Sequence, residues 1–281
     1  MHRFAWIGWL WLACVLPVFA QGAGAVRKQA ELSMLIKGEI TVDHNGRVDA
    51  YTLKDPEELP PGVVAFVDNS IDTWAFEPQK LNGQPVVVRN RMRILVVARP
   101  QEEGGYQIRL QSVSFSPLST KEGYELVSQT MAPPRYPVNA ARSGVGGSVY
   151  LVLRVGRDGK VQDAVVEQVN LRAVASEGVM DRVRRMFADA SLSAARRWTF
   201  TPPTQGDEAS LDYWSVRTPI DFYMGHDEPK YGQWRAYIPG PRQSVPWVDS
   251  DLLRISPEAL AEGSTDMLSK SGLRLLTPLS I

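Results

Sequence analysis

The chain has 281 residues, with 31 Lys+Arg against 31 Asp+Glu, so its formal charge is zero and no basic surplus points to nucleic acid. That length holds one large domain or two small ones with cores of their own. The only cysteine is Cys14, inside an apolar leader, and a chain without that leader has no thiol for a disulfide, a Cys-based zinc site or a Cys nucleophile.

Residues 1–20, MHRFAWIGWLWLACVLPVFA, read as a secretory signal. Arg3 supplies the positive start, the run from Phe4 to Leu16 is apolar but short for a membrane span, and Val18-Phe19-Ala20 presents a cleavage site after Ala20. The expected fate is therefore export to an oxidising compartment outside the cytoplasm. Two alternatives are an uncleaved leader acting as an inner-membrane anchor, and a lipoprotein processed at Cys14 behind the poor lipobox Trp11-Leu12-Ala13.

The next signals come twice. Residues 38–53 (GEITVDHNGRVDAYTL) and 147–167 (GSVYLVLRVGRDGKVQDAVVE) each read as alternating strand, tight turn, alternating strand. Asn45-Gly46 and Asp158-Gly159 are hairpin turn pairs, because such turns need positive φ. A helix follows each hairpin. Val63, Val67, Ile71 and Trp74 share one helical face behind Pro60-Pro61, as do Val183, Phe187, Ala190, Ala194 and Trp198. Each helix closes on Trp-x-Phe-x-Pro: Trp74, Phe76, Pro78 and Trp198, Phe200, Pro202. The prolines prevent continuation of the helix, and the tryptophans are expected as core plugs between helix and sheet. A further strand is predicted over residues 84–98 and over 211–224. The fold class is thus α+β: two tandem units, each a small antiparallel sheet (hairpin, helix, strand) packed on a helix.

The second copy, together with Tyr136-Pro137, Gly144 and Arg197-Trp198, resembles the TonB C-terminal domain family over roughly residues 131–224; the first, over 38–98, is a degenerate match without the Tyr-Pro opening. Gly46, Gly159, Trp74, Phe76, Trp198, Phe200, Tyr136 and Pro137 are the expected structural residues. The resemblance implies a periplasmic domain of a Gram-negative cell that grips an extended segment of an envelope or outer-membrane protein, which adds as a strand to the sheet edge. The corresponding strand is 211–224, and the resemblance assigns partner contact to Tyr213, Ser215, Val216, Arg217, Ile220, Asp221 and Phe222. Pro219 marks that strand as an edge, and no later alternating run is evident to cover it. A complete transducer also needs a membrane helix with Ser and His and a Pro-rich arm. The leader has no Ser and only His2, and residues 21–37 alone would precede the first unit, so this chain is not expected to transduce energy by itself. The alternative reading is a structural tandem domain with no peptide-binding edge.

No catalytic pattern emerges, and the chain is read as non-enzymatic, without cofactor or metal. His2, His44 and His226 form no ligand pair, no Gly-x-Ser-x-Gly elbow occurs, and GVGGSV at 144–149 enters a strand rather than a helix. Arg182, Arg184 and Arg185 read as a solvated helix face. Residues 99–130 are expected as a linker with a possible extra strand at 106–115, and 170–185 as a helical insertion. Residues 226–281 are a Pro- and aromatic-rich tail. Tyr231, Trp234, Tyr237 and Trp247 pack back on the second unit or form a partner surface, and a short helix begins after Ser256. Neither the partner, a small-molecule substrate nor the oligomeric state is legible.

Overall fold

The computed structural model describes residues 23–118, 122–224, 230–260, 264–269 and 272–279. The leader and the loop holding His226 lie outside them. A short helix α1 (Ala23–Arg27) precedes a long hairpin, β1 (Glu31–Val42) and β2 (Val48–Leu53). Helix α2 (Pro61–Ile71) follows, then a small ribbon of β3 (Lys80–Leu81) and β4 (Gln84–Pro85), then β5 (Val88–Pro100) and β6 (Tyr106–Pro117). The second half runs β7 (Val127–Thr130), α3 (Val138–Arg142), hairpin β8 (Gly147–Gly156) and β9 (Val161–Leu171), α4 (Glu177–Ala195), β10 (Thr199–Thr201) and β11 (Tyr213–Phe222). In the tail, β12 (Arg235–Tyr237) and β13 (Asp266–Met267) each join a sheet.

The first sheet has the order β12-β1-β5-β6 with β2 also on β1, and the second β13-β11-β8-β9; every pairing is antiparallel. Period-two patterning decides which faces meet the helices. Met34, Ile36, Ile40 and Val42 of β1 form one core with Val63, Val67 and Ile71 of α2. Val149, Leu151, Leu153 and Val155 of β8 form another with Met180, Val183, Phe187 and Ala194 of α4. Phe187 is fully buried and stacks on Phe222 at 4.4 Å between centroids, a burial that contributes about 1.5–3 kcal/mol.

The two turns and the two Trp-x-Phe motifs meet in the same way. Phe76 N–H donates to the Gly46 carbonyl at 2.7 Å, and Phe200 N–H to the Gly159 carbonyl at 2.8 Å. Gly46 (φ +82°) and Gly159 (φ +74°) allow this approach, since an added Cβ would lie 2.1 and 2.0 Å from the Phe76 and Phe200 carbonyl oxygens. Trp74 and Trp198 are buried, and Trp198 Nε1 donates to the Ala132 carbonyl at 2.8 Å. Tyr136 and Pro137 enter the second core: the Tyr136 ring sits edge-on to Phe187 and Phe222, and its hydroxyl donates to the Val145 carbonyl at 2.6 Å. Pro137 precedes α3 as its N-cap.

Three expectations need correction. Residues 170–171 still belong to β9 and α4 begins at Glu177, so there is no separate helical insertion; one 19-residue helix carries the apolar face. The expected strand 84–98 is β4 plus a longer β5, because Asn82-Gly83, both at positive φ, fold β3 and β4 into their own turn. The tail packs not on the second unit alone but on both. Tyr231 and Trp234 pack on the first core, β12 pairs with β1, and Ile238 joins the second core. Residues 274–277 lie along Ala75–Phe76, with Leu276 N–H donating to the Ala75 carbonyl at 2.7 Å; β7 serves Phe200 similarly through β10. The extra strand at 106–115 is β6, and the turn after Ser256 is a 3₁₀ helix, Pro257–Ala259.

The faces turned away from α2 and α4 oppose each other. Between them lie Leu95, Val97 and Ala259 and a dense polar layer, so the helices and sheets stack as four layers, α2, first sheet, second sheet, α4. β8 is therefore buried on both faces, with all but Arg154 buried.

Candidate functional site

β11 is where the sequence placed partner contact. Its even-numbered side chains, Trp214, Val216, Ile220 and Phe222, point into the second core. The odd-numbered ones face the polar layer. Arg217 is fully buried and forks onto Glu167 of β9, Nε to Oε2 at 2.7 Å and Nη2 to Oε1 at 2.9 Å, while its Nη1 donates to the Ile255 carbonyl at 3.0 Å. Burial pulls the Arg217 pKa down, and Glu167 opposes the shift. Arg242 of the tail binds the same carboxylate at 2.6 Å. Asp221 accepts from Ser148 and Arg172, with Arg235 at 3.5 Å. Tyr213 lies under Arg154, 4.0 Å from ring centroid to guanidinium carbon, and its hydroxyl reaches the Trp247 carbonyl at 3.4 Å.

These contacts correct the expectation that the side chains of Tyr213, Val216, Arg217, Ile220, Asp221 and Phe222 are presented to a partner. They are committed within the chain, because the sheet is covered on both faces. What β11 still has is a backbone edge. Its inner neighbour is β8, in register from Tyr213↔Gly156 to Phe222↔Gly147. Backbone groups alternate between the two neighbours of an antiparallel strand. The Ser215 carbonyl accepts from Leu268 N–H at 2.8 Å on the far side, so Tyr213, Ser215, Arg217, Pro219 and Asp221 direct their backbone polar groups outward. Pro219 falls at an outward position, where no ladder bond to β8 is lost.

The edge is not fully uncovered. β13 pairs with it at Val216↔Met267 and Arg217↔Asp266, and Asp266 also meets Arg93 of β5 at 3.2 Å. A two-residue strand carries no periodicity, which is why no covering strand was legible. The burial of β8 on both faces did have a signal. Val149 to Val152 is an unbroken apolar run including Tyr150, the pattern of a strand with no solvent face.

Among the described residues no group of His, Cys, Asp and Glu is placed to hold a metal, and no helix is long and apolar enough to cross a membrane. The geometry defines the second half as a small α+β sheet module whose returning strand ends in an outward backbone edge. Residues 132–224 match the family described as Gram-negative bacterial TonB protein C-terminal, and they form a TonB C-terminal-like domain. The chain is 31% identical over 100 residues to Protein TonB of Xanthomonas campestris pv. campestris (strain B100), covering 36% of this chain and 39% of that one. It is 34% identical over 91 residues to Protein tonB2 of Pseudomonas aeruginosa, covering 32% and 28%. It thus spans well under half the length of these curated relatives. A solution NMR structure of the Pseudomonas aeruginosa TonB CTD aligns with 37% of this chain and 90% of its own, at 21% identity and a TM-score of 0.24.

Proposed function

We propose that the protein is a periplasmic, TonB-like interaction module associated with transport across the envelope, and that it binds an extended segment of an outer-membrane or other envelope protein by strand addition to β11. It is non-enzymatic in this reading and does not transduce energy alone. It carries two copies of one unit, the first (residues 38–98) degenerate. The observation that carries the reading is the outward backbone edge of β11, which among the described residues is occupied only from Ser215 to Arg217, by residues 266–268. With side chains on both faces committed, backbone hydrogen bonds are what an incoming strand would gain. Each net bond contributes about 0.5–1.5 kcal/mol, so displacing so short a strand is within reach of a longer one.

The alternative, a structural tandem domain without a binding edge, draws on the same β13 and on the burial of both sheet faces. Ser215→Pro separates the two. It removes an outward N–H, whereas Ser215→Ala keeps it. Pulldown from a Gram-negative envelope extract, with thermal melting as the folding control, should show binding by parent and Ser215→Ala and loss with Ser215→Pro. A folded Ser215→Pro chain that binds as the parent does places the partner elsewhere.

A further inference from the structure

A cavity of about 290 Å³ lies in the polar layer between the sheets. Its walls come from β1 and β5 on one side and from β8, β9 and β11 on the other, and residues 230–237 and the Pro257–Ala259 turn close it. Strand addition at β11 makes no use of it.

The charges lining the cavity are unbalanced. Lys37, Arg172, Lys230 and Arg235 face it, against the carboxylates Asp221 and Glu258. Both carboxylates are already satisfied from within the chain: Asp221 by Ser148 and Arg172, Glu258 by Asn170 and by the Ser256 hydroxyl at 3.0 Å. Arg172 is also spent. Its Nη1 donates to Ser148 at 3.0 Å, and its Nη2 to the Gly147 and Phe222 carbonyls at 3.1 and 2.7 Å.

The remaining cations are only partly spent. Arg235 is held over the Tyr223 ring, 5.3 Å from its centroid, and its Nη2 donates to the Tyr223 hydroxyl at 2.6 Å and reaches Asp221 at 3.5 Å, yet its Nε is buried with no hydrogen-bond partner. Lys37 and Lys230 are exposed and pair with no carboxylate among the described residues. A buried donor without a partner costs about 1–3 kcal/mol, and a guanidinium fork suits a two-oxygen acceptor. The cavity's cations outnumber its carboxylates by four to two. The rest of the wall is mixed, with apolar Leu35, Leu95, Pro219 and Leu260 beside polar Ser33, Asn170 and Gln233.

We propose that this inter-sheet cavity is a binding site for a small organic oxyanion, a carboxylate or phosphate head on a compact apolar body, with the head held by Arg235, Lys37 and Lys230. The volume stands near the lower end of ligand pockets, large for a bare ion and sufficient for a single ring.

Calorimetric titration of the full chain with inorganic phosphate, phenyl phosphate and benzoate tests the site, at constant ionic strength set with chloride. Phenyl phosphate or benzoate should bind at least tenfold more tightly than inorganic phosphate, and whichever of the two binds identifies the head group. Lys37→Gln with Lys230→Gln, both at exposed positions, should weaken binding at least tenfold. Leu35→Trp should abolish it by filling the cavity without changing charge. The proposal is overturned if none of the three probes gives heat at millimolar concentration. It is overturned equally if the folded lysine double variant or Leu35→Trp binds as the parent does.

Discussion

Gly159→Ala perturbs the contact that joins the hairpin turn to the Trp-x-Phe motif. A left-handed φ of +74° costs an L-residue roughly 1–2 kcal/mol. The new Cβ would stand 2.0 Å from the Phe200 carbonyl oxygen, where ordinary contact begins at 3.4 Å. The neighbour is backbone, so the turn must withdraw by about 1.4 Å, and the 2.8 Å bond from Phe200 N–H to the Gly159 carbonyl cannot survive that. Losing it adds about 1 kcal/mol, for a total of about 2–3 kcal/mol. Gly83→Ala is the internal control: φ is similar at +80°, but nothing lies within 4 Å, so only the backbone term remains. Urea unfolding followed by tryptophan fluorescence measures both. Equal losses for the two variants would refute the idea that the turn is clamped against Phe200.

Trp198→Ala should destabilise the second core by about 3–5 kcal/mol, and Trp74→Ala the first. Because a polar layer separates the cores, differential scanning calorimetry should resolve two transitions, each sensitive to one variant. Burial raises the pKa of Glu258 above its ordinary 4.5, so the folded state holds that proton more tightly than the unfolded chain. Its contribution to stability therefore falls as pH rises from about 4.5 through the raised value. Glu258→Gln should remove that part of the pH dependence, which urea titrations at pH 4 to 8 would show as a smaller decline than in the parent.

Local chemistry made the two hairpins, both helices and the Trp-x-Phe closures legible. Turn glycines, period-two strands and a 3.6-residue apolar face each act over a few residues. The contacts that decide exposure act over long separations and leave no such mark. Arg217 looked like an outward residue of an edge strand, and only Glu167, 50 positions earlier, makes it a buried ion pair. Asp266–Met267 has no strand pattern because its register is imposed by β11, not by its own sequence. Tyr231 and Trp234 read as either a packing strap or a partner surface, because their place on the first core depends on how the whole tail crosses both sheets.

Strand addition is tested most directly by amide hydrogen exchange of the chain with and without the envelope-protein segment recovered by pulldown. The outward amides of Tyr213, Ser215, Arg217 and Asp221 should gain protection, while Asp266 and Met267 lose it as β13 is displaced. Protection gained on β6 or on the tail, with β11 and β13 unchanged, would contradict the account.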